Sequence, residues 1–205
     1  AHKVALYAPG RQRIGVIMQS RNEPSIRSQT NSPQRKQKAP AGTRQPNTQS
    51  KPQQIVLQNA ELMQQTLAGL DLRQADLRGA NLNWSNLTLA DLRGANLTGA
   101  TILGSVLRGA SLPDADLQQV NGCGADLRKA DMQRVDLRSA NLAWADLRDA
   151  DLADADLRGV NLAWANLRGA NLRNANLEQA RCNRQTEWPT GFAPEAYGLI
   201  WISEV

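Results

Sequence analysis

The chain has 205 residues and a net charge of +5, and 41% of its residues are hydrophobic but only 4% aromatic, so its core must be built mainly from aliphatic side chains. The single histidine, His2, argues against histidine-based catalysis and a His-rich metal site, and the two cysteines, 59 residues apart, give no CxxC spacing and no disulfide framework. The sequence shows no signal peptide and no apolar run long enough for a transmembrane helix. We therefore expect a cytoplasmic protein that is not an enzyme and needs no cofactor.

The charge divides the chain into two parts. Residues 1–54 contain ten Lys/Arg and one acid, Glu23, for a net charge of +9. Residues 55–205 contain 14 Lys/Arg and 18 Asp/Glu, for a net charge of −4. Two parts of opposite sign suggest two different tasks.

Residues 1–54 are predicted to be a basic, mostly irregular N-terminal tail. Ser, Gln, Asn, Pro and basic residues dominate residues 21–54, a composition too polar to form a core of its own. Residues 3–18 instead contain two β-prone runs around Pro9 and Gly10, which predict a hairpin or a strand added to a partner. The basic residues expected to contact a partner are Arg11, Arg13, Arg35, Lys36, Lys38 and Arg44.

From Leu62 to Cys182 one pattern repeats every five residues. Leucine occupies nearly all of the 25 registered positions, a small residue, usually Ala, precedes it by two, and Asp or Asn lies between them. Five residues of α-helix turn by about 500°, which would distribute the leucines around the axis. On a flat strand an odd period would alternate their face. The chain must therefore turn every five residues around a common axis, and we expect Asp and Asn at the corners because their side chains bond nearby backbone groups.

The pattern A-[D/N]-L-x-x, as in 75–79 and 95–99, resembles that of the pentapeptide-repeat proteins. The resemblance covers about residues 57–184 and implies an all-β fold, a right-handed quadrilateral β-helix with 20 residues per coil. Six coils at about 4.8 Å would form a rod of roughly 30 Å. We divide the chain into the tail at 1–54, the β-helix at 55–184 and a C-terminal cap at 185–205. The segment from Cys182 to Phe192 is similar to the closing segment of cyanobacterial members, and the predicted capping side chains are Trp188, Phe192, Tyr197, Ile200 and Trp201.

Twenty residues per coil place three of the five tryptophans in one outward column. On this face we predict a protein interface, because exposed tryptophans are typical of binding hot spots. The alternative is a purely structural ladder between neighbouring coils. Arginines populate the other three faces, either as a solvated surface or as a site for an acidic ligand. The predicted interface residues are Trp84, Leu103, Trp144 and Trp164, and Gly104 and Gly124 are expected to leave a flat gap between Trp84 and Trp144 for a side chain or backbone segment of the partner.

Gly122 replaces an inward leucine, which predicts a local gap, bulge or bend. Catalysis by the neighbouring Cys123 has no support because no histidine accompanies it.

The leading functional hypothesis is a scaffold or linker that docks through the tryptophans and threads its basic tail along an acidic protein assembly. The family resemblance suggests a phycobilisome-type light-harvesting complex, at the cytoplasmic face of a photosynthetic membrane. One alternative is a nucleic-acid-associated protein that binds phosphates through the tail. The DNA-mimicking inhibition of a topoisomerase that is known for some relatives is a weaker alternative, because the arginine-bearing faces do not suit mimicry of an acidic polymer.

Overall fold

The computed structural model describes residues 55–203 in full and the backbone of two N-terminal strands. Strands β1 (Lys3–Tyr7) and β2 (Arg13–Ile17) form an antiparallel hairpin in which Lys3 pairs with Ile17. Of the predicted tail contacts, Arg13 lies in β2. The remaining five lie outside the described residues: Arg11, Arg35, Lys36, Lys38 and Arg44.

From residue 55 onward the chain forms a four-sided coil with a period of 20 residues. The residue before each leucine forms a parallel bridge with the residue 20 positions later, from Val56↔Asp76 to Asn161↔Arg181. Backbone bonds hold each coil to the next: the Leu57 N–H donates to the Asp76 carbonyl at 2.7 Å, and the Asp76 N–H donates to Ile55 at 2.9 Å. Because a turn follows every leucine, 20 residues complete four sides.

The interior is a column of leucines and alanines. Leu62 to Leu147 at the inward positions are almost completely buried, and the alanines two residues earlier are buried as well. Removal of each leucine side chain from water contributes about 2 kcal/mol. The short alanine side chains leave the axis narrow enough for the four leucines of a coil to fill it.

The corners are formed by the two residues after each leucine. The N–H of the third residue after leucine donates back to the leucine carbonyl, as from Ala60 to Leu57 at 3.0 Å. The second corner residue has a positive φ at every corner from Asn59 (55°) to Gln179 (58°), as in a type II turn.

The prediction that Asp and Asn lie at the corners was wrong, although their bonding role was correct. They occupy the bridge position before leucine, where the Oδ1 of Asp71 accepts the N–H of Arg73 at 3.2 Å. The Oδ1 of Asn81 accepts the N–H of Asn83 in the same way. Each side chain therefore stabilises the following turn by a hydrogen bond to the N–H of its first corner residue.

Gly122 causes no bulge, contrary to prediction. The bridges Thr101↔Asn121 and Asn121↔Asn141 keep the 20-residue register, and the Gly122 N–H donates to Asn141 at 2.8 Å. A Cβ at Gly122 would lie 2.9 Å from Leu142 Cδ2 and 3.2 Å from Ile102. The side chains of the two neighbouring coils therefore occupy the space that a leucine would have filled.

The last coil is one residue longer and is followed by a compact end. Its final bridge joins Asn166 to Glu187, 21 residues apart. The chain continues through a 3-10 helix, Pro194–Tyr197, to strand β4 (Ile200–Trp201), which pairs in parallel with β3 (Arg181–Cys182). Phe192 stacks between Trp188 and Tyr197, at ring-centroid distances of 5.0 and 4.6 Å.

The predicted capping residues divide into two groups. Trp188 and Phe192 are partly buried against the leucine core. Tyr197, Ile200 and Trp201 remain 39%, 47% and 48% exposed, and the last two pair with Arg181 and Cys182 of the last coil. None of the helices in the described part of the chain has the length and hydropathy needed to cross a bilayer.

Candidate protein-binding face

One side of the coil carries no charge over five successive coils. This side, which we call the tryptophan face, begins after Glu61 and ends before Arg181. Asp occupies the bridge position repeatedly on each of the other three sides but never on this one. The tryptophan face consists of residues 81–84, 101–104, 121–124, 141–144 and 161–164.

Trp144 and Trp164 stack on adjacent coils. Their ring centroids are 4.7 Å apart and their planes differ by 2°, and the separation matches the spacing of about 4.8 Å between neighbouring strands. Trp144 remains 59% exposed despite this contact, and Trp164 is half-buried. The sequence prediction that these two tryptophans share a column is confirmed.

Trp84 lies at the other end of the column, with its six-membered ring over Gly104. A Cβ at position 104 would collide with that ring, so a side chain there would displace the indole. Trp84 is 64% exposed, and Leu103 beside it is half-buried. The structure thus places all four predicted interface residues on one face but joins only Trp144 and Trp164 in a stack.

The three tryptophans occupy backbone positions that favour glycine. Trp84, Trp144 and Trp164 have φ values of 59°, 63° and 58°, a conformation that costs a residue with a Cβ about 1 kcal/mol. Elsewhere the same corner position is often glycine. Large rings at these corners are not needed to fill the axis, because the inward leucines beside them are already buried. Since fifteen corners besides Trp144 place a residue with a Cβ in the same conformation, it is the rings being surplus to the core that favours a function outside it.

A ladder of asparagine side chains runs alongside the tryptophans and was not recognised from the sequence. Asn161 Nδ2 donates to Asn141 Oδ1 at 3.0 Å, and Asn141 Nδ2 donates to Asn121 Oδ1 at 3.2 Å. The signal was present, since Asn replaces Asp at the bridge position of this face. The ladder gives the face polar groups without charge.

The lengthened last coil supports the end of the face. The N–H of Trp144 donates to the carbonyl of Ala163, one coil later. The corresponding carbonyl for Trp164 would belong to Asn183, but there the side-chain Oδ1 accepts the N–H at 3.0 Å. Asn183, which is buried, therefore fixes the backbone of Trp164 through its side chain.

Seven arginines on the other faces are bound by aspartates of their own repeats. Arg138 lies two residues after Asp136, with its Nη2 2.7 Å from Oδ2 and its Nε 2.9 Å from Oδ1. Hydrogen bonds from arginine are the main cause that lowers the pKa of six such aspartates below the usual value. These aspartates are Asp71, Asp76, Asp91, Asp126, Asp146 and Asp156. Arginines neutralised in this way do not form a free anion-binding surface.

The two cysteines differ in environment. Cys182 is buried at an inward position, and burial raises the pKa of its thiol to about 11. Cys123 lies half-buried on the tryptophan face. Across the described residues, no group of three His, Cys, Asp or Glu side chains could hold a metal ion.

The comparisons agree with this geometry. A family model described as pentapeptide repeats matches eight copies, at residues 55–94, 90–121, 105–143, 123–153 and 145–181. Proteins of this family fold as right-handed quadrilateral β-helices. A search of the curated proteins finds no match.

Several solved structures are similar to the chain. HetL, a pentapeptide repeat protein involved in heterocyst differentiation regulation in the cyanobacterium Nostoc sp. strain PCC 7120, is 29% identical, with 71% of this chain and 84% of HetL covered and a TM-score of 0.48. A second pentapeptide repeat protein from Nostoc PCC 7120 is 40% identical, with 55% of this chain and 84% of that chain covered and a TM-score of 0.33. QnrB1, a plasmid-mediated fluoroquinolone resistance protein, is 18% identical, with 65% of this chain and 68% of QnrB1 covered. The TM-score of 0.60 shows a shared fold.

Proposed function

The chain belongs to the pentapeptide-repeat family, and we propose that it is a non-enzymatic scaffold protein that docks on its partner through the tryptophan face. The observation that carries the proposal is the combination of exposure and position. Trp84 and Trp144 are 64% and 59% exposed at corners where their backbone conformation is unfavourable. Exposed apolar surface of this kind, on a chain whose core is already complete, is typical of protein-binding sites.

The absence of charge on the tryptophan face bears on how it binds. The five segments of the tryptophan face contain no carboxylate and no guanidinium, so a partner that covers them removes no charge of theirs from water. The asparagine ladder offers amide groups, which lose less free energy than charges when they are buried. The face therefore suits a neutral surface of the partner, with affinity from the rings and orientation from the amides.

The basic tail is proposed as the second contact. Its net charge of +9 suits an acidic partner, and a long polar segment can extend across several subunits of a large assembly. We propose an acidic protein assembly as the partner and a phycobilisome-type light-harvesting complex as the first candidate to test. Such a partner would place the protein at the cytoplasmic face of a photosynthetic membrane.

The test is co-sedimentation of the full chain with purified phycobilisomes. We expect binding, and we expect the double substitution Trp144→Ser with Trp164→Ser to weaken it at least about thirtyfold, which corresponds to about 2 kcal/mol. Arg148→Ser with Arg168→Ser is the matched control, because these residues occupy a neighbouring face in the same two coils. The control is expected to alter only the salt-dependent part of the affinity.

Two results would contradict the proposal. Equal affinity of the tryptophan variant and the unaltered chain would remove the tryptophan face from the interface. Binding to DNA that matches or exceeds binding to the protein assembly, and that declines steeply with salt, would instead favour a nucleic-acid-associated protein.

A further inference from the structure

The side chains of the second corner residue lean toward the next coil. Where the residue 20 positions later is a glycine, a Cβ added to it would lie against the side chain of the corner residue one coil earlier. In this way Asn59 lies over Gly79, and Leu89 lies over Gly109. Trp84 follows the same rule over Gly104. The direction is therefore a property of the corner and not of the residue type.

The rule leaves two successive positions of the tryptophan column empty, because Gly104 and Gly124 have no side chain to lean over the next coil. Gly124 follows Gly104, which has no side chain to lean over it, and a Cβ at Gly124 would meet nothing within 4 Å. Trp144 comes next in the column and stacks on Trp164. The indole face of Trp144 that is turned away from Trp164 therefore borders an open position.

The size of this opening follows from the period of the coil. Trp84 and Trp144 are three coils apart, or about 14 Å at the usual strand spacing. Since neighbouring rings in the column are 4.7 Å apart, the interval leaves room for two further rings in the same stack. We call the opening between Trp84 and Trp144, with Gly104 and Gly124 at its base, the glycine slot.

We propose that the glycine slot receives an uncharged aromatic side chain of the partner, which stacks on Trp144 and continues the Trp144–Trp164 pair. The inference rests on the proposed function and specifies the chemistry of its partner. The existing pair shows that two parallel rings fit one coil spacing. A charged occupant would lack a counterion, because residues 101–104, 121–124 and 141–144 carry no charge. A flat ring that stacks on the exposed face of Trp144 removes both rings from water, which is favourable.

Trp84 provides an internal comparison. The residue one coil before it is Gln64, which has a side chain and a φ of 60°, whereas the residue one coil before Trp144 is glycine. Glutamine adopts the same corner conformation at Gln74, Gln119 and Gln179. Gly124→Gln is therefore compatible with the fold and would place a leaning side chain in the slot.

The experiment titrates the full chain with N-acetyl-tryptophanamide and follows the five indole N–H signals by NMR, assigned from single Trp→Phe variants. N-acetyl-leucinamide and N-acetyl-argininamide are the control probes. We expect the aromatic probe to shift the Trp144 signal upfield, and we expect Gly124→Gln to weaken that binding at least about tenfold. Neither control probe is expected to shift Trp144 to a comparable extent.

Binding of the aromatic probe that leaves the Trp144 signal unshifted, or that Gly124→Gln leaves unchanged, would overturn the glycine slot. A stronger response to the arginine probe would overturn its assignment to an uncharged ring. Failure of the slot is distinguishable from failure of the proposed function, because co-sedimentation of the Trp144→Ser, Trp164→Ser variant measures the whole face. If that variant binds phycobilisomes normally, the docking proposal fails whatever the small probe does.

Discussion

Arg128 reaches back across the buried Leu127 to Asp126, with its Nη2 2.6 Å from Oδ2 and its Nε 2.8 Å from Oδ1. The same carboxylate accepts the N–H of Arg128 at 3.2 Å. One aspartate therefore secures both the turn and the arginine side chain. The repetition of this pair explains how three faces carry many arginines while residues 55–205 remain slightly acidic.

Substitutions at Asp126 should separate these two roles. Asp126→Asn retains an oxygen for the N–H of Arg128, as Asn166 does for Arg168, but loses the ion pair. Asp126→Ala loses both and is expected to reduce the free energy of unfolding by about 1 kcal/mol, with the asparagine variant losing less than half as much. Urea denaturation of both variants measures the difference. Equal losses would mean that the ion pair, and not the turn bond, accounts for the stabilisation.

The aspartate–arginine pairs also predict acid sensitivity. Hydrogen bonds from arginine hold the pKa of Asp71, Asp91 and Asp146 below the usual value. At low pH the unfolded chain binds more protons than the folded chain, so the stabilisation is present above about pH 4 and is lost as the pH falls further. We expect a level free energy of unfolding from about pH 5 to 8 and a decline below about pH 4. Denaturation midpoints across this range provide the measurement, and a level curve down to about pH 2.5 would refute the expectation.

The repeat period predicted a chain that turns every five residues, and the family resemblance added the four sides and therefore the tryptophan column. Neither of them predicted the backbone of the corners. Glycine usually marks a positive φ, yet this chain places residues as different as Lys129, Arg134 and Trp164 in that conformation. Their sequence signal is weak because the bonds between coils, and not the residue type, impose the turn. The gap that Gly104 and Gly124 leave between Trp84 and Trp144 was predicted from the column, but the lean of corner side chains onto the next coil, which shapes the glycine slot, was not.

The two thiols should react differently in the folded protein. Cys182 is fully buried and its thiol has a raised pKa, whereas Cys123 is only half-buried. At about pH 8 we expect Ellman's reagent to modify one thiol per chain in the native state and both after denaturation. Cys123→Ser should abolish the native reaction. Native reactivity that persists in this variant would show that Cys182 becomes accessible through opening of the last coil.

The Trp144–Trp164 stack should contribute little to folding. Trp144→Ser with Trp164→Ser removes one ladder contact and is expected to cost about 1 kcal/mol. Leu142→Ala, which empties an inward position of the same coil, should cost about 2–5 kcal/mol. Thermal melts compare the two, and near-UV circular dichroism reports the loss of the stacked pair. A large decrease in melting temperature for the serine variant, with unchanged partner affinity, would make the stack structural.

Restoring the repeat consensus at Gly122 should destabilise the protein. Leucine is the regular residue at this inward position, and the backbone there follows the ordinary register. However, a Cβ would already lie 2.9 Å from Leu142 Cδ2 and 3.2 Å from Ile102, so a complete leucine side chain would overpack the core. We expect Gly122→Leu to reduce the free energy of unfolding by about 1–3 kcal/mol.

A double-mutant cycle with Ile102→Ala tests the cause. Ile102→Ala alone should cost about 2–5 kcal/mol because it leaves a cavity. In the Gly122→Leu background the added leucine would occupy that cavity, so the two losses should sum to more than the loss of the double variant. An increase in the unfolding midpoint for Gly122→Leu alone would show instead that the space beside Gly122 is empty. Because the neighbouring side chains lie so close to the Cβ position, we expect the glycine to be the better residue here.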